Sequence, residues 1–194
     1  MMAGMDLDST FQDARPFRLT VDHYLALNDI GAFDDCGRVE LIEGMIVQMS
    51  PMSVHHAHVT GEIYARLRER LGQMGSPLIA LAGATVTLPP DSAPGPDITV
   101  AEVRGGERFL SGLAARLMVE VSKATLRKDL GIKRDMYAAA GVPEYWVVDV
   151  DKRQVHRFAV PRDGAYTAEP PVPLAGPLVS LTIPDLAIDG AGIL

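Results

Sequence analysis

The apolar positions of this chain keep two different rhythms. In "HHAHVTGEIYARLRERLGQMG" (55–75), Val59, Ile63, Leu67 and Leu71 recur every fourth residue, while Arg66, Arg68, Glu69 and Arg70 mostly take the other side. That spacing predicts an amphipathic helix with one buried stripe. "LTVDHYLALNDIG" (19–31) predicts a shorter helix, with Thr20 as its N-cap and Gly31 just past its end. A third helix is predicted from Thr125 to Gly141, with Pro143 beyond it as a stop.

The second rhythm is that of short apolar runs, which predict strands. "RVELIEGMIVQMSP" (38–51) carries two runs around Glu43-Gly44, a hairpin signal, and Pro51 ends the second. Further strands are predicted at "LIALA" (78–82), "ATVTL" (84–88), "DITVAEV" (97–103), "LMVEV" (117–121), "YWVVDV" (145–150), "VHRFAV" (155–160) and "LVSLTI" (178–183). The segment "PPDSAPGP" (89–96) holds four prolines and a glycine, so an irregular and mobile loop is expected there. Residues 1–15 are polar and aperiodic and predict a flexible tail. Without repeats or a second composition regime, residues 16–194 read as one α/β domain, its strands gathered around a central helix.

Composition narrows the function classes. Hydrophobic residues make up 47% and charged residues 22% of 194, which is globular and leaves no membrane-spanning run. The N-terminus has no basic region leading into an apolar core, so no signal peptide is expected. A single cysteine, Cys36, excludes an internal disulfide and makes a reducing cytoplasm the expected setting. The net charge of −7 argues against a protein that coats nucleic acid through a basic surface. It leaves open an enzyme that meets a phosphodiester through a metal ion, given a local basic lining.

Two placements then need a reason. Glu120 stands inside the apolar run Met118, Val119, Val121, where an unpaired carboxylate is costly. Lys133 falls within the apolar arc of its helix, among Leu126, Leu130, Ile132, Met136, Tyr137, Ala139 and Ala140, while Arg127, Lys128, Arg134 and Asp135 lie outside it. Asp97 opens a strand directly after the proline-rich loop. Two carboxylates near the ends of adjacent strands make an oxygen-ligand site suited to Mg²⁺ or Mn²⁺. A lysine reaching them from a packed helix could orient water or neutralise charge on a phosphate.

"GPDITV" followed by "LMVEVSK" resembles the PD-(D/E)xK nuclease superfamily. The fuller set, "VELIEGMIVQMSP", His56 opening a helix, "VEVSKATLRKDLGIKRDMYAAAGVPEYWVVD" and "LVSLTIPDLAID", is similar to the Uma-type putative restriction endonucleases, long described as a domain of unknown function. The resemblance spans about residues 18–190. It implies a restriction-endonuclease-like α/β core, a mixed β-sheet flanked by helices. It also implies Mg²⁺-dependent hydrolysis of DNA, with Mn²⁺ able to substitute, and a homodimer for duplex cleavage. Asp97 and Glu120 match the two metal-ligating acids, and Glu40 matches an early acidic residue that often joins the metal shell. The pattern departs at position 122, where the usual lysine is Ser122. Lys123 is one residue off and should point to the opposite face from Glu120, unless the strand has already ended in a loop there. Lys133 is therefore expected to be the catalytic lysine, and its removal to abolish cleavage while sparing or slightly stabilising the fold.

Other features have plainer readings. Asp129 also lies in the apolar arc, but in the first helical turn, where it favours the dipole. His58 and Glu62 lack the paired-histidine spacing of a zinc protease. His56 could position water or phosphate, or simply pack. Tyr145 and Trp146 read as core, and Cys36 as inert. The rival to a nuclease is a non-catalytic nucleic-acid- or partner-binding module that keeps the fold, a reading favoured by the acidic charge and by Ser122.

Overall fold

The computed structural model describes residues 15–194, so the expected tail, apart from exposed Arg15, lies outside the described residues. Chain order gives α1 (Val21–Asp29), β1 (Val39–Ile42), β2 (Met45–Gln48), α2 (Val54–Gln73), β3 (Ile79–Ala82), β4 (Val86–Thr87), β5 (Ile98–Ala101), β6 (Leu110–Ser111) and β7 (Ala115–Ser122). After β7 comes a helical segment in three pieces: α3 (Leu126–Lys128), a π turn (Asp129–Lys133) and α4 (Arg134–Ala139). The chain closes with β8 (Glu144–Asp149), β9 (Gln154–Arg162), β10 (Ala165–Ala168), β11 (Val172–Pro173), β12 (Pro177–Val179) and β13 (Ala187–Asp189).

Seven strands form one mixed sheet in the order β10-β9-β8-β7-β5-β3, with β11 also paired to β9. Only β7 and β8 run parallel within it, and that pairing requires a crossover on one face. The segment α3–π turn–α4 is that crossover. Along β7 the side chains alternate: Leu117, Val119 and Val121 join Val59, Ile63, Leu67 and Leu71 of α2 in one apolar cluster. Met118 faces the other way, into a cluster with Met136, Tyr137, Tyr145 and Val147. Glu120 shares the Met118 side of the strand, so the period-2 pleat delivers it to the crossover.

The predicted cap at Thr20 holds: its hydroxyl accepts from the His23 backbone N–H at 3.3 Å. Ser53, not singled out in the sequence, caps α2 through the His56 N–H at 3.2 Å. Glu43 and Gly44 both adopt positive φ, as the tight turn between β1 and β2 requires.

Three segments differ from the sequence expectation. "PPDSAPGP" is not a free loop: Ser92 to Pro96 are buried. Ala93 bonds Leu41 in both directions, the Asp91 carbonyl accepts from Gly44, and the Pro90 carbonyl accepts from Val21. Proline removes donors but leaves carbonyls, and those carbonyls tie α1 and the β1–β2 hairpin to the entry of β5. "ATVTL" forms only the two-residue β4, parallel to β6. "LVSLTI" leaves the strand after Val179: the Ser180 N–H still bonds the Leu186 carbonyl, but the Leu181 and Thr182 N–H groups turn to the Glu144 carboxylate.

Glu144 is fully buried and accepts from Trp146 Nε1, Ser180 Oγ, the Leu181 and Thr182 N–H groups and the Thr182 hydroxyl, at 2.6–3.0 Å. This carboxylate pins the C-terminal segment, whose Ile183, Leu186, Ile188 and Ile193 complete the core over α2. Glu144→Ala would leave those donors without an acceptor, at about 1–3 kcal/mol for each that stays buried. We therefore expect that substitution to destabilise the protein by roughly 3 kcal/mol or more. A chemical-denaturation curve indistinguishable from wild type would contradict this.

Candidate active site

The antiparallel register of β5 on β7 pairs Ile98 with Val119 and Thr99 with Met118. Continued by one residue, it sets Asp97 opposite Glu120 on the same face of the sheet. Both are buried, and both line a pocket of about 450 Å³ that also receives Glu40, His56, Asp129 and Lys133.

Lys133 reaches this pocket from the π turn and is 1% exposed. Its Nζ lies 2.7 Å from Glu120 Oε1 and 3.3 Å from Glu40 Oε2. Burial works against the ammonium, but the two carboxylates outweigh it and hold the lysine above its ordinary pKa. Lys123 points elsewhere: it is mostly exposed at the pocket mouth and lies 3.8 Å from Asp151. The helical wheel thus turns Lys133 inward as expected, whereas Lys123 lies one residue past the end of β7, where strand alternation no longer decides its direction.

Glu120 Oε1 also accepts from the Tyr137 hydroxyl at 3.0 Å. Burial pushes the Glu120 carboxyl up to about 7; Lys133 opposes that shift, while Asp97 and Asp129 add to it. Asp97 Oδ2 accepts from the Val121 N–H at 2.8 Å, and its Oδ1 lies 3.0 Å from His56 Nε2. That contact raises the His56 pKa, against the opposing effect of its own partial burial.

Glu40 does not turn to the other two acids. Its Oε1 accepts from Arg38 at 3.1 Å and its Oε2 faces Lys133. No group of three or more histidine, cysteine, aspartate or glutamate side chains among the described residues is gathered as a ready metal cage. Asp97 and Glu120 thus share one face of the sheet, and Glu40 stands beside Glu120 across Lys133, with its oxygens toward Arg38 and Lys133.

Sequence reasoning gave Asp129 a dipole role. Instead it accepts from Ser122 Oγ at 2.6 Å and is buried, while Tyr145 donates to its backbone carbonyl at 3.1 Å. The serine in the usual lysine slot thus has a definite partner. Tyr137 and Arg38 were missed as site residues. Asp129 and Lys133, opposite charges four apart on an apolar face, were the available signal for the π turn. Glu62 is paired to Arg66 at 3.2 Å and His58 is exposed, so neither belongs to a site.

Comparison with known proteins follows the same lines. The sequence model of the family described as "Uma2: Putative restriction endonuclease" matches residues 21–190. The chain belongs to the Uma2 family. A crystal structure of a putative nuclease belonging to DUF820, from Anabaena variabilis, resembles it with a TM-score of 0.68 at 17% identity. The match covers 90% of this chain and 97% of that one, and shows a shared restriction-endonuclease-like fold. No curated protein matches the chain. No helix among the described residues is long and apolar enough to cross a membrane.

The electrostatics of this Uma2 site set a pH dependence. Glu120 has a folded pKa above its ordinary 4.5, so the fold favours its protonated form. Its contribution to stability is greatest below that ordinary value and is lost as pH rises to about 7. His56 is raised above 6.5, so its contribution is full below 6.5 and is also lost on raising the pH. Lys133, shifted up from 10.5, contributes a constant amount in this range. Metal-free protein should therefore lose several degrees of melting temperature between about pH 5 and 7.5. Glu120→Gln should flatten the slope. A slope equally steep in that variant would show that other groups govern it.

Proposed function

We propose that this Uma2 protein is a divalent-metal-dependent endonuclease that hydrolyses DNA phosphodiester bonds. The observation that carries the reading is the buried ammonium of Lys133 held against Glu120, with Asp97 opposite on the neighbouring strand, at the floor of one pocket.

The donor set suits a hard cation. Among the described residues, four buried carboxylates, Glu40, Asp97, Glu120 and Asp129, line this pocket with one buried cation, Lys133, and with Arg38 and His56 at the margin. Burial raises Glu120, Lys133 opposes the shift and Asp97 and Asp129 add to it, and a divalent cation beside the carboxylate would relieve it. Mg²⁺ keeps several waters and is commonly held by one or two carboxylates, so Asp97 and Glu120 are sufficient; Mn²⁺ takes the same oxygen donors. When bound, the cation supplies Lewis-acid polarisation of the phosphodiester and offsets the charge that develops on it.

The remaining steps belong to the chain. Lys133 stays an ammonium at neutral pH, so it is not a general base; it donates hydrogen bonds and stabilises negative charge near Glu120. Glu40 keeps that ammonium centred by pairing with its other side. The Val121 N–H and His56 hold the two oxygens of Asp97. Arg38 and Lys128 at the pocket wall give the locally basic lining that a phosphate backbone needs, despite the acidic average. With one such site among the described residues, cleavage of both strands of a duplex would draw on two copies, which is the basis for a homodimer.

The two lysines provide the test. Lys133→Ala should abolish Mn²⁺-dependent cleavage of plasmid and single-stranded DNA, and Lys123→Ala should leave most of it. The position of Lys133 between two carboxylates reverses the expected effect on stability. Its loss strands both Glu40 and Glu120, so the variant should be less stable by about 3 kcal/mol. Lys133→Met, which keeps the apolar stem, should lose cleavage equally. Activity lost in Lys123→Ala but kept in the Lys133 variants would sink the assignment. Wild-type protein that binds Mn²⁺ in calorimetry yet cuts nothing would leave the binding-module reading in possession.

A further inference from the structure

Glu120 has two oxygens in unlike positions. Oε1 takes two donors, Lys133 Nζ at 2.7 Å and the Tyr137 hydroxyl at 3.0 Å. Among the described residues no protein donor reaches Oε2, although the residue lines the pocket. We propose that Tyr137 is a positioning residue: its hydroxyl locks Glu120 with Oε1 turned inward, so that Oε2 alone is presented to a divalent cation. The inference rests on the metal-dependent reading above and assigns a task to a residue outside the acid–lysine set.

A terminal carboxylate torsion is soft, so geometry must come from its partners. Lys133 alone does not fix it, because an ammonium is a compact charge with three rotatable donors and here also serves Glu40. A phenol is different: its ring is held by packing and its single O–H is directional. The Tyr137 ring is fully buried and stands edge-on to Tyr145, with centroids 4.9 Å apart. Tyr145 in turn bonds the Asp129 carbonyl at the start of the π turn that presents Lys133. The same aromatic pair therefore braces the carboxylate and the backbone that aims the lysine. Burial and the nearby Glu120 keep the Tyr137 hydroxyl protonated well above pH 10, so it acts as a donor and not as a base.

A purely structural hydroxyl is available for comparison in the same cluster. Tyr166 stacks on Tyr145 at 6.4 Å and donates to the Val142 carbonyl at 2.8 Å, away from the pocket. Both tyrosines can lose the hydroxyl and keep the ring. Titration calorimetry with Mn²⁺ on the full chain should show Tyr137→Phe binding about tenfold more weakly, the usual effect of removing a partner of a metal ligand. Tyr166→Phe should bind as wild type, even where its thermal melt drops by as much. In a Glu120→Gln background, Tyr137→Phe should cause no further loss, because the oxygen it positions is already altered. Tyr137→Phe with wild-type Mn²⁺ affinity, or with a loss that simply adds to that of Glu120→Gln, would overturn the inference. Wild-type protein that takes up no Mn²⁺ would overturn the metal-dependent reading itself, a result separate from either of these.

Discussion

Everything at the centre of this molecule depends on one buried ammonium. Lys133 lies between Glu40 and Glu120, and each carboxylate belongs to a different unit of structure: the β1–β2 hairpin and the central sheet. Such a contact is weak evidence for stability, since desolvating three charges offsets much of their attraction. It does link hairpin, sheet and crossover through one group, since Lys133 meets Glu40 and Glu120 at once. The proline-rich segment, the Arg38 contact to Glu40 and the Ala93 bridge to Leu41 all hold the hairpin where that contact requires it.

The crossover is fitted to this task by a local irregularity. A regular helix over 126–139 would keep its stripe of small and aliphatic residues against the sheet. Two charged residues of that stripe, Asp129 and Lys133, bound the π turn and are buried with it, one meeting Ser122 and the other Glu120. A π turn has poorer hydrogen bonding than the α-helix and persists where something outside the helix compensates. Here the compensation is explicit: Tyr145 takes the Asp129 carbonyl, and Ser122 takes its carboxylate.

The sequence revealed the parts of this arrangement that obey a period. The apolar run around Glu120 marked β7 as a buried strand, and the helical wheel turned Lys133 inward. What it concealed depends on carbonyls and on cross-chain partners, which leave no periodic trace. "PPDSAPGP" looked free because its side chains show no pattern, yet its carbonyls are what neighbouring elements bind. Glu40 looked like a metal ligand because a family position suggested it, and only the fold reveals that its oxygens face Arg38 and Lys133. Tyr137 looked like core, and it is; the bond to Glu120 follows from packing that one-dimensional spacing does not encode.

Two buried glutamates in the same sheet make the distinction between structure and function concrete. Glu144 has donors on both oxygens, drawn from a side-chain indole, two hydroxyls and two backbone N–H groups, and no pocket reaches it among those described. That is how a fold tolerates a carboxylate it uses as a fastener: every lone pair has a partner. Glu120 is treated in the opposite way. Two donors crowd onto one oxygen, the other is left toward a pocket, and neighbouring acids raise the cost of its charge. A chain that satisfies one buried carboxylate so completely has the means to satisfy the other. Leaving Glu120 Oε2 open costs stability in the free protein, and a ligand that supplies positive charge at that point would recover it.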